Sequence, residues 1–364
     1  MKTPKFKNTF GIIKLISQMA IIITAVLIIN QLIRKSFVSK TWGNFNVHIK
    51  TKYIKEKGDE FNTYFIGSST IYRHLMPSVF DEEIDPDLEV RSFNLGTGRF
   101  APPETYIYYE YLINEEDLNI DYVIIELRDI FKILDENLHT ARASYWYTPS
   151  AYLFAIKSLM SSKSFESSDE KSHKIKNHTI SFAENVFNFG LIKSYVRALQ
   201  KEYELNERKV KSIIGEFDDG FKGYYVEDLK KGKNEYYKRD PARLQKKLNQ
   251  MEMKYNKYDR KSFDCNLVHL YEINRLIELS EEKGIHLIFF LNPKIAVKQY
   301  EEYIPLMQQI DDEHKIELAD CRFYPELYSL EYAYDNNHLN IDGARIITKL
   351  AAKKFNEIVR NKKY

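Results

Sequence analysis

Apolar residues follow three patterns along this chain, and each predicts a different element. The first is a run without charge from Leu15 to Ile33, preceded by Lys2, Lys5, Lys7 and Lys14 and closed by Arg34 and Lys35. As a helix it covers about 28 Å, close to the ~30 Å hydrocarbon core of a bilayer. Ser17, Gln18, Thr24, Asn30 and Gln31 make it moderately apolar. A cleaved signal peptide and an uncleaved anchor both fit. The run is long and no Ala-x-Ala site follows it, so the expectation is an anchor. Basic residues at both ends leave the positive-inside rule weak, and the nature of the site argued below puts the large domain outside the cell.

The second pattern is a set of short apolar runs ended by turn residues. Thr63–Ile66, Tyr122–Leu127 (continuous but for Glu126) and Ile285–Leu291 read as buried parallel strands. Residues Leu88–Phe93 alternate and read as a further strand, and Ile316–Ala319 as a short fifth. The third pattern has helical spacing: Pro102–Ile113, Leu267–Lys283 and the closing segment Ile341–Arg360. Strand and helix alternate, which predicts a parallel sheet wrapped by helices. Residues 135–262 interrupt the alternation with segments such as Ser150–Met160 and Pro241–Tyr255, and are expected to form a helical insertion capping the site. The predicted organisation is an anchor over 1–35, a juxtamembrane connector over 36–59 and one α/β domain over 60–364. Lys50, Lys52, Lys55 and Lys57 of the connector suit either anionic headgroups or a solvated face.

Composition narrows the function. Hydrophobic residues make up 44% and charged residues 29% of the 364, which describes a folded chain and not a disordered one. A net charge of +2 carries no nucleic-acid signature. Cys265 and Cys321 lack metal-ligand spacing, so no zinc site is expected, and two isolated buried thiols are favoured over a disulfide. His173 and His178 lack a carboxylate-rich setting, and neither a metal nor a cofactor is expected.

Ligands of an open parallel sheet sit beyond the carboxyl ends of its strands. Three pieces fall there: Gly67-Ser68-Ser69, Gly96-Thr97-Gly98 and the residues after Leu127. A serine hydroxyl is a weak nucleophile until a base takes its proton. His338 suits that role, because imidazole exchanges protons near neutral pH. Asp335, three residues earlier, can curl back to hold the other ring nitrogen. The amides of Ser69 and of Gly96 or Gly98 are candidates for holding an oxyanion. Blander readings stand beside these: Ser69 as a helix cap, Asp335 as a turn residue, His74 as a structural histidine, and Arg99 and Arg128 as ion-pair partners instead of substrate or oxyanion contacts. Lys230, Lys231, Lys233 and Lys238, with Tyr236 and Tyr237, suit an anionic polymer or a solvated face.

Together these blocks resemble the SGNH (GDSL-like) hydrolase superfamily. Its Gly-Asp-Ser block would be Gly67-Ser68-Ser69, its asparagine-glycine turn Asn94-Leu95-Gly96-Thr97-Gly98, and its Asp-x-x-His block Asp335 to His338. The resemblance covers roughly 60–130 and 265–360. It implies a three-layer, flavodoxin-like sheet, with Ser69, Asp335 and His338 as the triad and Ser69, Gly96 and Gly98 at the oxyanion hole. The Gly-Ser-Ser variant, the anchor and the insertion resemble membrane-anchored branches that act on cell-envelope polymers, among them polysaccharide O-acetylation and teichoic-acid D-alanylation proteins. The implied activity is an esterase or acyltransferase on a cell-envelope glycan, with an acyl-exporting membrane protein as partner. One block departs from the pattern: the family's asparagine after the third strand is absent from Ile124-Ile125-Glu126-Leu127-Arg128-Asp129. A catalytically inactive glycan-binding or assembly partner is therefore the alternative.

Overall fold

The computed structural model describes residues 6–33, 42–128, 135–140, 142–162, 167–187, 196, 213, 241–258, 265–294, 300–335 and 337–362. The lysines and tyrosines of 230–238, Arg34 and Lys35 lie outside them. Five strands form one parallel sheet: β1 (Thr63–Ile66), β2 (Ser92–Asn94), β3 (Tyr122–Glu126), β4 (His286–Leu291) and β5 (Lys315–Glu317), in the order β2-β1-β3-β4-β5. Their sequences explain the choice. Tyr-Phe-Ile, Tyr-Val-Ile-Ile and Leu-Ile-Phe-Phe-Leu are β-branched or aromatic runs without a polar face, and β1 and β4 are buried along their whole length. Register aligns Phe65 with Asn94 on one side and with Ile124 on the other, so the carboxyl ends of β1, β2 and β3 finish together.

The helices are α1 (Phe6–Ile33), α2 (Phe45–Lys57), α3 (Ser69–His74), α4 (Pro77–Glu83), α5 (Glu104–Leu112), α6 (Asp135–Leu138), α7 (Ala143–Trp146), α8 (Pro149–Ser161), α9 (Ser168–Phe187), α10 (Pro241–Lys257), α11 (Leu267–Glu282), α12 (Tyr300–Gln309) and α13 (Ile341–Lys362). Side-chain caps set several starts: Thr148 accepts from the Ala151 amide before α8, and Asn266 from the His269 amide before α11. Phe355 of α13 meets Tyr122 with ring centroids 4.9 Å apart, and Phe80 of α4 at 5.4 Å. Tyr106 of α5 lies 6.3 Å from Phe289 of β4. The insertion adds a small separate cluster of Leu138, Ala143, Trp146, Tyr147, Ala151 and Ala155.

Two expectations need correction. Leu88–Phe93 is not a strand over its length: Pro86–Leu88 is a 3-10 turn and Glu89 takes a left-handed φ of 48°, so β2 begins only at Ser92. Within the expected connector, α2 buries Val47, Ile49, Lys50, Thr51 and Ile54, and Val47 and Ile54 join the core cluster of the sheet. Lys50 therefore touches neither headgroups nor solvent. Cys265 and Cys321 form no disulfide and are half-buried. One described helix, over Gly11–Leu32 within α1, is long and apolar enough to cross a membrane, a test that a signal sequence also meets. Near its end, the buried Asn30 donates to the Asn185 carbonyl at the close of α9.

Phe289 is fully buried on β4, in register with Ile125 of the central strand. Phe289→Ala is expected to cost ~3–5 kcal/mol of unfolding free energy, through lost transfer energy and an unfilled cavity. Urea unfolding checks this, and a loss under ~1 kcal/mol would place Phe289 outside the core.

Candidate active site

The turn after β1 is shaped by close approach. A Cβ on Gly67 would lie 2.4 Å from Ile71 Cγ1 and 2.6 Å from Glu126 Cβ, so only glycine lets β1 hand over to α3 beside the end of β3. Ser68, not Ser69, caps α3: its hydroxyl accepts from the Thr70 amide at 3.3 Å. Ser69 is the first helical residue, which leaves its amide among the donors without a partner inside the helix. Its hydroxyl is 2.8 Å from His338 Nε2. On the other side of the ring, His338 Nδ1 lies 2.9 and 2.8 Å from the two oxygens of Asp335. The Asp335 carboxylate also accepts from the amides of Asn337 (2.8 Å) and His338 (2.9 Å), so the aspartate organises its own loop while it faces the ring. Burial alone would raise the Asp335 pKa; the His338 ring and these amide donors outweigh it and hold the carboxyl below its ordinary range. The three residues, spread over 69 to 338, thus stand in one hydrogen-bonded line.

The glycine turn is laced to the same strand end. Leu95 and Thr97 donate to the carbonyls of Phe65 and Gly67. Asn94 is buried; its amide donates to the carbonyls of Ile71 (3.0 Å) and Leu75 (2.7 Å), and its oxygen accepts from Gly96 N–H at 2.8 Å. A Cβ at Gly96 would lie 2.6 Å from the Tyr72 backbone nitrogen, so the turn rests directly on α3. The Gly96 amide is thereby engaged. Gly98 is exposed, and its amide has no backbone partner among the described residues. Of the two candidate glycines, Gly98 is the one whose amide the turn leaves uncommitted.

Carbonyls of this turn face cations and amides from elsewhere. Lys50 of α2 donates to the carbonyls of Asn94 (2.8 Å) and Gly96 (2.9 Å), with its ammonium 4.8 Å from the Tyr72 ring. Burial pushes its pKa down to about 7. Arg142 of the insertion donates to Gly98 O at 3.0 Å while pairing with the buried Glu104 at 2.6 Å. Burial pushes Glu104 up to about 7 against the pull of Arg142. Asn137 donates to the Arg99 carbonyl, and Arg99 itself is exposed at a φ of 63°.

Behind Ser69 lies Glu126, 1% exposed at the end of β3. It accepts from the Ser68 amide at 2.7 Å, from Lys294 Nζ at 2.8 Å and from the Thr70 hydroxyl. Arg128 Nε stands 4.0 Å away. Burial would raise this carboxyl; the charges of Lys294 and Arg128 and the donated hydrogen bonds reverse that and keep it ionised far below its ordinary range. Arg128 thus sits as a partner of Glu126. His74 is fully buried one turn after Ser69. Its Nε2 accepts from the Leu339 amide at 3.0 Å, so Nδ1 carries the proton and donates to Asn292 at 3.1 Å. Expected as structural, His74 is so in a specific way: it pins the residue after His338. Lys50, Glu126, Arg142, Lys294 and Asn292 were not among the expected site residues. No group of metal-binding side chains occurs among the described residues.

No protein-family model matches this chain, and no curated protein matches it. The site is read from its own geometry.

Burial above all, and then the nearby His338, pushes His74 down to about 3. Its unfolded value is ~6.5, so the unfolded chain takes this proton first as pH falls. The contribution of neutral His74 to stability is complete above ~6.5 and is lost as pH falls toward about 3, with a slope of up to ~1.4 kcal/mol per pH unit. His74→Gln is expected to flatten the pH dependence of unfolding free energy across that window. An unchanged slope in urea titrations would show that His74 is not a buried neutral group.

Proposed function

We propose that this protein is a membrane-anchored, SGNH-type serine esterase or acyltransferase acting on acyl esters of a cell-envelope glycan. The observation that carries the proposal is the line from the Ser69 hydroxyl through the His338 ring to the Asp335 carboxylate. In this reading Ser69 Oγ attacks the acyl carbon and its proton passes to His338 Nε2. Asp335 holds the tautomer in which Nδ1 carries a proton and favours the imidazolium that forms. The amides of Ser69 and Gly98 receive the oxyanion. The departing alcohol takes the proton from His338 as the intermediate collapses, leaving an acyl-serine. Water or a sugar hydroxyl then attacks that ester, with His338 again as base, which separates hydrolysis from transfer.

Other features support the finer parts of the reading. The strand order β2-β1-β3-β4-β5 is that of flavodoxin-like sheets. Phe65 and Tyr122 meet α4 and α13, while Phe289, at the opposite alternation, meets α5, which fits three layers. The apolar α1 supports anchoring, and a glycan substrate with an acyl-exporting membrane partner suits a domain outside the cell. A second reading, a non-catalytic glycan-binding partner, is favoured by the engaged Gly96 amide and by Glu126-Leu127-Arg128 standing where an asparagine donor is expected.

The test is turnover of p-nitrophenyl acetate and labelling by a serine-reactive phosphonate. Ser69→Ala is expected to abolish labelling, and His338→Ala to lower kcat ~10³-fold or more. Asp335→Asn is expected to lower it ~10²–10⁴-fold, through loss of the correct tautomer. Equal labelling of wild type and Ser69→Ala would overturn the triad. Glycan binding that persists in both alanine variants, without an acyl-enzyme by mass spectrometry, would establish the second reading.

A further inference from the structure

We infer that Lys50 is a positioning residue for the oxyanion turn: its ammonium, carried by the helix that follows the apolar segment, sets Asn94–Gly98 against Ser69. The inference rests on the acyl-transfer reading above. The four lysines of residues 50–57 look alike in sequence, but only Lys50 is 1% exposed, and its neighbour Lys52 faces solvent beside Glu56. An ammonium brought out of water needs compensating acceptors. It finds them in two carbonyls of the same turn, Asn94 O and Gly96 O, and in the face of Tyr72 on the nucleophile helix.

Peptide planarity turns that contact into control of the amides. With Gly96 O held by Lys50, the Thr97 N–H of the same plane points the other way, toward Gly67 O at 2.9 Å. With Gly98 O held by Arg142, the plane after Gly98 is fixed too. The Gly98 amide lies between these two fixed planes. Lys50 also bridges the turn to α3 through the ring of Tyr72, on whose backbone Gly96 already rests. A displacement of about 1 Å at such a donor can cost ~10²-fold in rate without weakening substrate binding.

The experiment uses the full-length chain in detergent micelles, with p-nitrophenyl acetate turnover and phosphonate labelling. Lys50→Met conserves volume and removes the donors. It is expected to lower kcat by ~10–100-fold with KM within ~2-fold of wild type, while Lys52→Met keeps wild-type kcat and KM. Wild-type kcat in Lys50→Met, or a change confined to KM, overturns the inference and leaves the triad standing. Absence of Ser69-dependent labelling in the wild type overturns the acyl-transfer reading, and the inference with it. Where Lys50→Met fails to fold by circular dichroism, Lys50→Gln decides. This variant keeps two N–H donors without the charge; it is expected to lower kcat at least ~5-fold at unchanged KM, and wild-type kcat overturns the inference.

Discussion

A buried carboxylate dictates much of this structure. Glu126 ends β3 with no access to water, and an isolated ionised carboxylate there would be prohibitively unstable. Its partners come from three separate parts of the chain: Ser68 and Thr70 beside Ser69, Lys294 after β4, and Arg128 just beyond its own strand. Together they offset the desolvation, and removing one partner of such a buried pair typically costs ~3–5 kcal/mol. The consequence is geometric. The turn that presents Ser69 is held to the ends of β3 and β4 by charge, so Ser69 is kept in place while Glu126 stays ionised.

The late half of the site is held by a second buried group. His74 stays neutral because burial and the neighbouring imidazole of His338 both oppose its charging. As a neutral ring it can accept from Leu339 at one nitrogen and donate to Asn292 at the other, a pairing that a doubly protonated ring would break. A histidine on α3, the helix that carries Ser69, therefore anchors the chain that carries His338. Thr348 adds a tie by donating to the His74 carbonyl and accepting from Met76 N–H. Serine and histidine arrive from opposite ends of the sequence, yet both are fixed to α3.

Much of this was legible in the sequence, for identifiable reasons. β1, β3 and β4 announce themselves as apolar runs, since a strand buried on both faces has no polar positions to confuse the pattern. Asp335 and His338 form a local pair, and Ser69 follows a strand-ending glycine, so the three residues that the structure brings into one hydrogen-bonded line carried a signal of their own. The alternation at 88–93 misled because side-chain period says nothing of the left-handed Glu89 that ends the turn there. Lys50 and Glu126 were opaque for a different reason. A charged residue reads as exposed unless its partner is known, and these partners lie far away: Asn94 and Gly96 for one, Lys294 for the other. Gly96 was half legible, for its need to be glycine is real but comes from packing on Tyr72, not from an amide offered to substrate.

The turn over Asn94–Gly98 is held by segments from outside the sheet. Backbone amides stabilise a developing charge only when they do not reorient during the reaction. Here the turn's carbonyls are held by Lys50 on the amino-terminal side and by Arg142 from the insertion, two segments that a minimal sheet would not require. The insertion and α2 are thus part of the site's rigidity and not additions around it. Asn30 extends the same logic, joining α1 to the end of α9, whose Ser181 donates to Leu138 beside the Asn137 that holds Arg99 O. The apolar helix is in this way connected through hydrogen bonds to the turn that faces Ser69. A site built like this takes its geometry from the segments around the sheet as well as from the sheet itself.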